Sequence, residues 1–185
     1  MIAEIFLSVF LGIGLATSSS FRVFVPLFAL SCASYFGIIP LNETWMWVGS
    51  VPALVILGVA SIVESVSYLV PVLDLLDTIA VPLAGVAGTL AMASTLADMS
   101  LAMTWALVIV AGGGAATIKG TSATTRAVST ATTGGLVNPA ISMAETSTAI
   151  GLSVLSIFAP IIAMVALVIG FIWLITKLRK SNNIR

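Results

Sequence analysis

The chain contains no histidine and a single cysteine. Without histidine there is no imidazole acid–base pair, no haem ligand and no His-rich metal site. One thiol, Cys32, cannot close an internal disulfide or build a thiolate cluster, and its apolar neighbours fit inert packing. Charge is scarce too. Charged residues make up 8% of the 185 positions, against roughly 25% in a soluble domain. So few charges cannot cover a water-facing surface of this size. The formal net charge is zero, so no polybasic arm is present to bind nucleic acid. These shortages exclude a soluble enzyme, a nucleic-acid binder and a disordered chain.

What is present is apolar. Hydrophobic residues account for 59% of the chain, and the mean hydropathy is +1.21. A spanning helix takes ~20 residues, which leaves room for about seven crossings and no sizeable soluble domain. Charges punctuate the apolar runs. Residues 5–21, 23–42, 44–63, 78–97 and 99–118 carry none. A hydroxyl-rich stretch runs from Arg126 to Glu145, and a long apolar run, 146–176, is closed by Lys177, Arg179 and Lys180. Barrel strands would alternate apolar and polar residues; these runs do not, so they read as helices. The expected fold is all-α: one polytopic transmembrane bundle of about seven helices, or six if the half-polar 127–146 does not cross.

Basic residues set an orientation. Placing Lys177, Arg179, Lys180 and Arg185 in the cytoplasm and threading backwards brings every Lys and Arg to that side. The N-terminus, Glu4, Glu43, Asp98 and Glu145 then fall outside. Glu4, rather than a basic residue, precedes the first apolar run, which argues for a retained first helix over a cleaved signal peptide. Trp45, Trp47, Trp105 and Trp173 all stand close to these boundaries, as an interfacial belt requires.

The chain also contains an echo of itself. Thr17-Ser18-Ser19-Ser20-Phe21-Arg22 and Thr121-Ser122-Ala123-Thr124-Thr125-Arg126 share the pattern Thr-Ser-x-x-x-Arg. Each follows a glycine-marked apolar run, Gly12 and Gly14 or Gly112 to Gly114, and precedes a proline-containing segment. In the threading above both sit at a junction between helices on the cytoplasmic side. The chain then parses as repeat 1 (about 5–69), a linking helix (about 72–97) and repeat 2 (about 99–178), a 3+1+3 arrangement. An odd linking helix makes such repeats parallel.

Ionisable groups at membrane depth cost ~2.5–3.5 kcal/mol at a helix centre, so they need a partner, a cavity or the interface. Arg22 and Arg126 are embedded in hydroxyls. Asp74 and Asp77 share a helix face beside Pro71 and near Glu64. Residues 117–133 are rich in Ser and Thr, and Gly134-Gly135 and Asn138-Pro139 disfavour an unbroken helix beyond them. Broken helices with freed N–H groups, hydroxyls and a basic residue suit an anion or polar solute. Equally, the hydroxyls can bond back to their own helix and pack tightly.

Several strings together resemble a bacterial membrane family. They are residues 14–27 (Gly-Leu-Ala-Thr-Ser-Ser-Ser-Phe-Arg-Val-Phe-Val-Pro-Leu), Glu64 to Pro71 with Asp74-Leu-Leu-Asp77-Thr-Ile-Ala-Val-Pro82, and Ala87-Gly88-Thr89. Arg126 with Ser129-Thr130, Gly134-Gly135-Leu136-Val137-Asn138-Pro139, and Glu145 complete the set. The family is the domain of unknown function 4126 (DUF4126), and the likeness spans residues 10 to about 170. The resemblance implies a bacterial inner membrane and brings no activity or substrate with it.

Three functions fit these readings. The first is a transporter or channel for a small polar or anionic solute, with Arg22, Arg126, Glu64, Asp74, Asp77, Asn138 and Glu145 forming the site or its balancing pairs. In that reading Arg126 lines a solvated site. The second is a non-transporting scaffold or assembly partner, whose charges staple the repeats. The third is an intramembrane enzyme in which Asp74-x-x-Asp77 holds Mg²⁺ for a lipid phosphate; without a nucleophile or second acidic cluster it ranks last. No cofactor or metal is expected, and the lipid bilayer is the one certain partner. Self-association is left open.

Overall fold

A computed structural model describes residues 2–67, 76–97 and 99–182. Among them the chain is all-helical, with seven α-helices and one 3-10 helix. They are α1 (Ile2–Ser19), α2 (Phe24–Tyr35), the 3-10 helix (Glu43–Gly49), α3 (Val51–Ser67), α4 (Leu76–Thr95), α5 (Leu101–Thr133), α6 (Asn138–Phe158) and α7 (Pro160–Asn182). α1, α5, α6 and α7 are long and apolar enough to cross a membrane. The 3-10 helix and α3, bent by 62°, make a fifth span if counted together.

Helix α1 is the hub, packing on α4, α5, α6 and α7. Of these, α4 and α6 run antiparallel to it. Ser19 meets Ala84 of α4 while, a helix length away, the Ala97 N–H donates to Ser8 Oγ at 3.2 Å. Ser18 meets Ser153 of α6, and Gly14 faces Ser156. α4 and α5 also pair antiparallel, through small residues. A Cβ on Gly88 would stand 2.8 Å from the Ala115 Cβ and 3.1 Å from the Ala111 carbonyl. In lipid, where apolar burial gives no net drive to associate, such close backbone approach lets dispersion hold two helices together.

The molecule therefore has two chemically distinct ends. The C-terminus of α1, the N-terminus of α2, the C-terminus of α3 and the start of α4 gather at one, together with Lys119, Arg126 and the start of α6. Glu4, the 3-10 helix and Pro160 mark the other. Near that acidic end, Glu4, Ser8, Asn42, Glu43, Thr44 and Thr95 help to line a cavity of about 880 Å³. The Asn42 side chain caps the 3-10 helix by accepting from Thr44 N at 3.2 Å, and Met46 and Trp47 point outward from it.

Four boundaries differ from expectation, each for a local reason. Helix α5 does not stop near Lys119 but continues through Arg126 to Thr133, 33 residues in all. That is about 50 Å at 1.5 Å per residue, longer than a hydrocarbon core of about 30 Å. The hydroxyls do not break it, because they return to their own helix. Thr117, Thr121, Thr124 and Thr125 donate to the carbonyls four residues back at 2.8–3.1 Å. The break comes at Gly134 and Gly135, whose φ values of 64° and 81° suit glycine alone. Residues 127–146 are thus not a separate crossing: they hold the end of α5, the turn and the first half of α6.

The long run 146–176 is in turn split at Ala159-Pro160, where proline cannot continue α6 but can open α7. The 23–42 run is helical only to Tyr35, and Gly37, at φ 70°, lies in the turn that follows. Finally, because α6 begins at the turn, Glu145 lies at the basic end. Threading had put it at the opposite end from the arginines.

Candidate functional site

Among the described residues, five charged side chains from four elements meet at the basic end, and all are buried. Arg22 and Lys119 are 0% exposed, and Arg126 is 1% exposed. Glu64 and Glu145 are buried with them.

Arg22 sits in the joint between α1 and α2, where the chain leaves one helix and enters the next. Its guanidinium reaches α6. Nε donates to Thr146 Oγ1 at 2.9 Å, and Nη2 donates to Ser142 O at 3.0 Å and Ser142 Oγ at 2.5 Å. The same Nη2 is 4.0 Å from a Glu145 carboxylate oxygen. Arg126 approaches that oxygen from α5 and forms an ion pair with it through Nη2. The Ser122 hydroxyl, one turn before Arg126, donates to the other oxygen. One carboxylate thus stands between two arginines, one brought by a helix joint and one by a helix interior.

Glu64 has a different task. It accepts from Val23 N at 2.6 Å through one oxygen and from Phe24 N at 2.9 Å through the other. These are the first N–H groups of α2, which no helical carbonyl can satisfy. A carboxylate there meets both the orphan donors and the positive end of the helix. Lys119 does the converse for α1: its ammonium approaches the Phe21 carbonyl, just past the helix C-terminus, at 3.5 Å. The joint is therefore held by a cation at the negative end of one helix and an anion at the positive end of the next.

From the cluster, hydroxyls continue along the α1–α6 seam. The Ser18 and Ser153 hydroxyls share a hydrogen bond of 2.7 Å, and Ser18 also meets Ala149 O at 2.8 Å. Ser156, one turn further, lies against Gly14. All three serines are fully buried. The seam is narrow because its residues are small, and polar because several are serine.

Of the residues singled out in the sequence, Arg22, Arg126, Glu64 and Glu145 come together. Asn138 does not join them. It opens α6 and donates from Nδ2 to Thr130 Oγ1 at 2.8 Å, tying the turn to the end of α5. Asp74 lies outside the described residues. Asp77 is in the first turn of α4, with its side chain outside the description. Arg126 is not solvated as expected, because α5, α6 and the α1–α2 joint close around it. Nor does it sit at a helix junction equivalent to that of Arg22. Lys119, which follows the uncharged run 99–118, was not among the residues named for the site. The signal that could have promoted it is its spacing: seven residues before Arg126, it lies on the same face of α5. Ser142 and Thr146 carried no sequence signal beyond their place on the Glu145 face. Among the described residues no group of three or more His, Cys, Asp or Glu is placed to hold a metal ion.

A family model for the domain of unknown function DUF4126 matches residues 9–180, nearly the whole chain. Neither the curated proteins nor the solved structures give a match.

Proposed function

Since the chain belongs to the DUF4126 family, whose description names no activity, we propose from its geometry a function as a membrane transporter for a small polar or anionic solute, with the charged cluster as its closed gate. One observation carries this reading. A buried, ion-paired cluster closes one end of the α1 hub, while a cavity of about 880 Å³ stands at the other. From the cluster a seam of buried serines runs along α1 and α6. Buried ion pairs are weak devices for stability alone, since their desolvation offsets much of their attraction. They are suited to a contact that must form and break, because each partner can be exchanged for another charge or for water. The break between α1 and α2 places backbone ends beside the same cluster, the arrangement used where helices bend around a central site.

Orientation and repeat belong to the same proposal. The basic end faces the cytoplasm by the positive-inside rule, and the membrane is the bacterial inner membrane. Helices α1 and α5 run in the same direction and carry the two Thr-Ser-x-x-x-Arg motifs towards the same end, which fits a parallel 3+1+3 repeat.

A second reading has its own support. Arg126 and Glu145 are buried and paired, as in a permanent staple between α5 and α6, and this favours a scaffold or assembly partner. Proteoliposomes separate the two. A transporter gives saturable uptake of a labelled small anion or polar solute above protein-free vesicles, and Arg22→Gln lowers it at least tenfold. A staple gives no uptake with any solute of the panel.

A further inference from the structure

Glu145 supplies the carboxylate held by Arg126 and Ser122, with Arg22 4.0 Å away. Its removal as a charge takes one negative group from between two guanidiniums that stay cationic at any physiological pH. We propose that a proton and a small oxyanion bind here together: protonation of Glu145 releases its place between Arg22 and Arg126, and a carboxylate-like or sulfonate-like anion takes it. This rests on the transport reading and deepens it by naming the substrate class, a small oxyanion, and the coupling ion, a proton.

The geometry is that of a template. The place Glu145 occupies is by construction shaped for two oxygens. Arg126 and the Ser122 hydroxyl donate to it, and the Arg22 fork borders it. Guanidinium forks bind oxyanions with direction as well as charge, so an entering oxyanion finds donors already aimed. Anion entry without protonation would set two anions side by side in a buried site, which like-charge repulsion opposes. Protonation without an anion would leave the arginines short of one buried counter-charge, which is also costly. Each event favours the other, and that is a coupling free energy between a proton site and an anion site.

Among the described side chains, the neighbours do not offer a substitute proton site of equal standing. Helix α6 packs on α1, α2, α5 and α7. Against Glu145 these present Arg22 from the α1–α2 joint and Ser122 and Arg126 from α5, while Lys119 of α5 approaches the Phe21 carbonyl. On α7, Lys177 lies over the Trp173 ring at 4.7 Å. Helix α3 contributes Glu64, whose two oxygens are committed to the α2 N-terminus. Asp77 stands in the first turn of α4, and the variants below separate it from Glu145.

The probe is methanesulfonate, an oxyanion that stays ionised throughout the range used, so any pH dependence belongs to the protein. Calorimetric titration of the purified, detergent-solubilised protein should show binding that tightens as pH falls from about 8 towards about 5, with up to about one proton taken up per anion. Proton uptake is read by repeating the titration in buffers of different ionisation enthalpy. Glu145→Gln should bind at about pH 8 as tightly as the unaltered protein does at low pH, with no proton uptake. Glu145→Asp should keep the linkage, and the unaltered protein's own proton count decides the matter if the Gln variant does not fold. Binding without proton uptake, no binding at low pH, or uptake that survives Glu145→Gln and so assigns the proton to another acid such as Asp77, each overturns the proposal. Linked binding with no flux in proteoliposomes upholds it and overturns the transport reading instead.

Discussion

Arg126→Gln is expected to lower stability by about 3–5 kcal/mol, the loss typical of a buried ion pair deprived of one partner. The size follows from burial. Arg126 is 1% exposed and pairs with a carboxylate that is itself buried. Water cannot replace the lost cation, and Glu145 would be left with the Ser122 hydroxyl and the more distant Arg22. Adding Glu145→Gln should restore much of the loss, with a coupling of about 2 kcal/mol between the two sites. Recovery should be incomplete, because Arg22 also faces Glu145 at 4.0 Å. Thermal or denaturant unfolding in detergent reads both quantities. A loss below about 1 kcal/mol would mean that water reaches Arg126 after all, since exposed pairs contribute that little.

Glu64→Ala should be nearly as damaging, by about 3–4 kcal/mol, for a reason unrelated to ion pairing. It would leave the Val23 and Phe24 N–H groups buried without an acceptor, and each such group costs about 1–3 kcal/mol. The positive end of α2 would also lose its compensating charge. Glu64→Gln keeps one good acceptor and should recover about half of the loss. Hydrogen exchange offers a site-resolved check: the amides of Val23 and Phe24 should lose protection in Glu64→Ala, while those of α5 should not. Uniform loss of protection would show that Glu64 holds the whole bundle rather than one joint.

How far the sequence could lead depended on what kind of signal each feature leaves. Charge scarcity and continuous apolar runs reveal a helical membrane bundle, because in lipid only helices satisfy their own backbone along such runs. Arg22 and Arg126 stood out because a charge amid hydroxyls is expensive without a partner. Their common carboxylate was harder to see. Placing Glu145 with them required knowing that α5 runs on past Arg126, whereas in the sequence the charges at Lys119 and Arg126 delimit the runs and the hydroxyls of 117–133 fit a broken helix and a packed one equally. Those hydroxyls bond within the helix, a local exchange that leaves no periodic trace in the sequence. Glu64 was named among the acids of the candidate site, but its role as a cap belongs to a different helix, 40 residues away in sequence. The same holds for Lys119 and the end of α1. Capping across elements is a tertiary fact, and no spacing rule along one helix encodes it.

The most direct test of the gate is to lock it. Ser18 and Ser153 face each other across the α1–α6 seam with hydroxyls 2.7 Å apart, close enough for a disulfide after replacement of both by cysteine. With Cys32→Ser as background, Ser18→Cys/Ser153→Cys should fold and reconstitute normally. If opening requires α6 to part from α1 and free Arg22 from Ser142 and Thr146, the oxidised protein should move no solute, and reduction should return uptake to that of the Cys32→Ser protein. Equal uptake in the oxidised and reduced states, with the disulfide confirmed by mass, would contradict a gate at this seam.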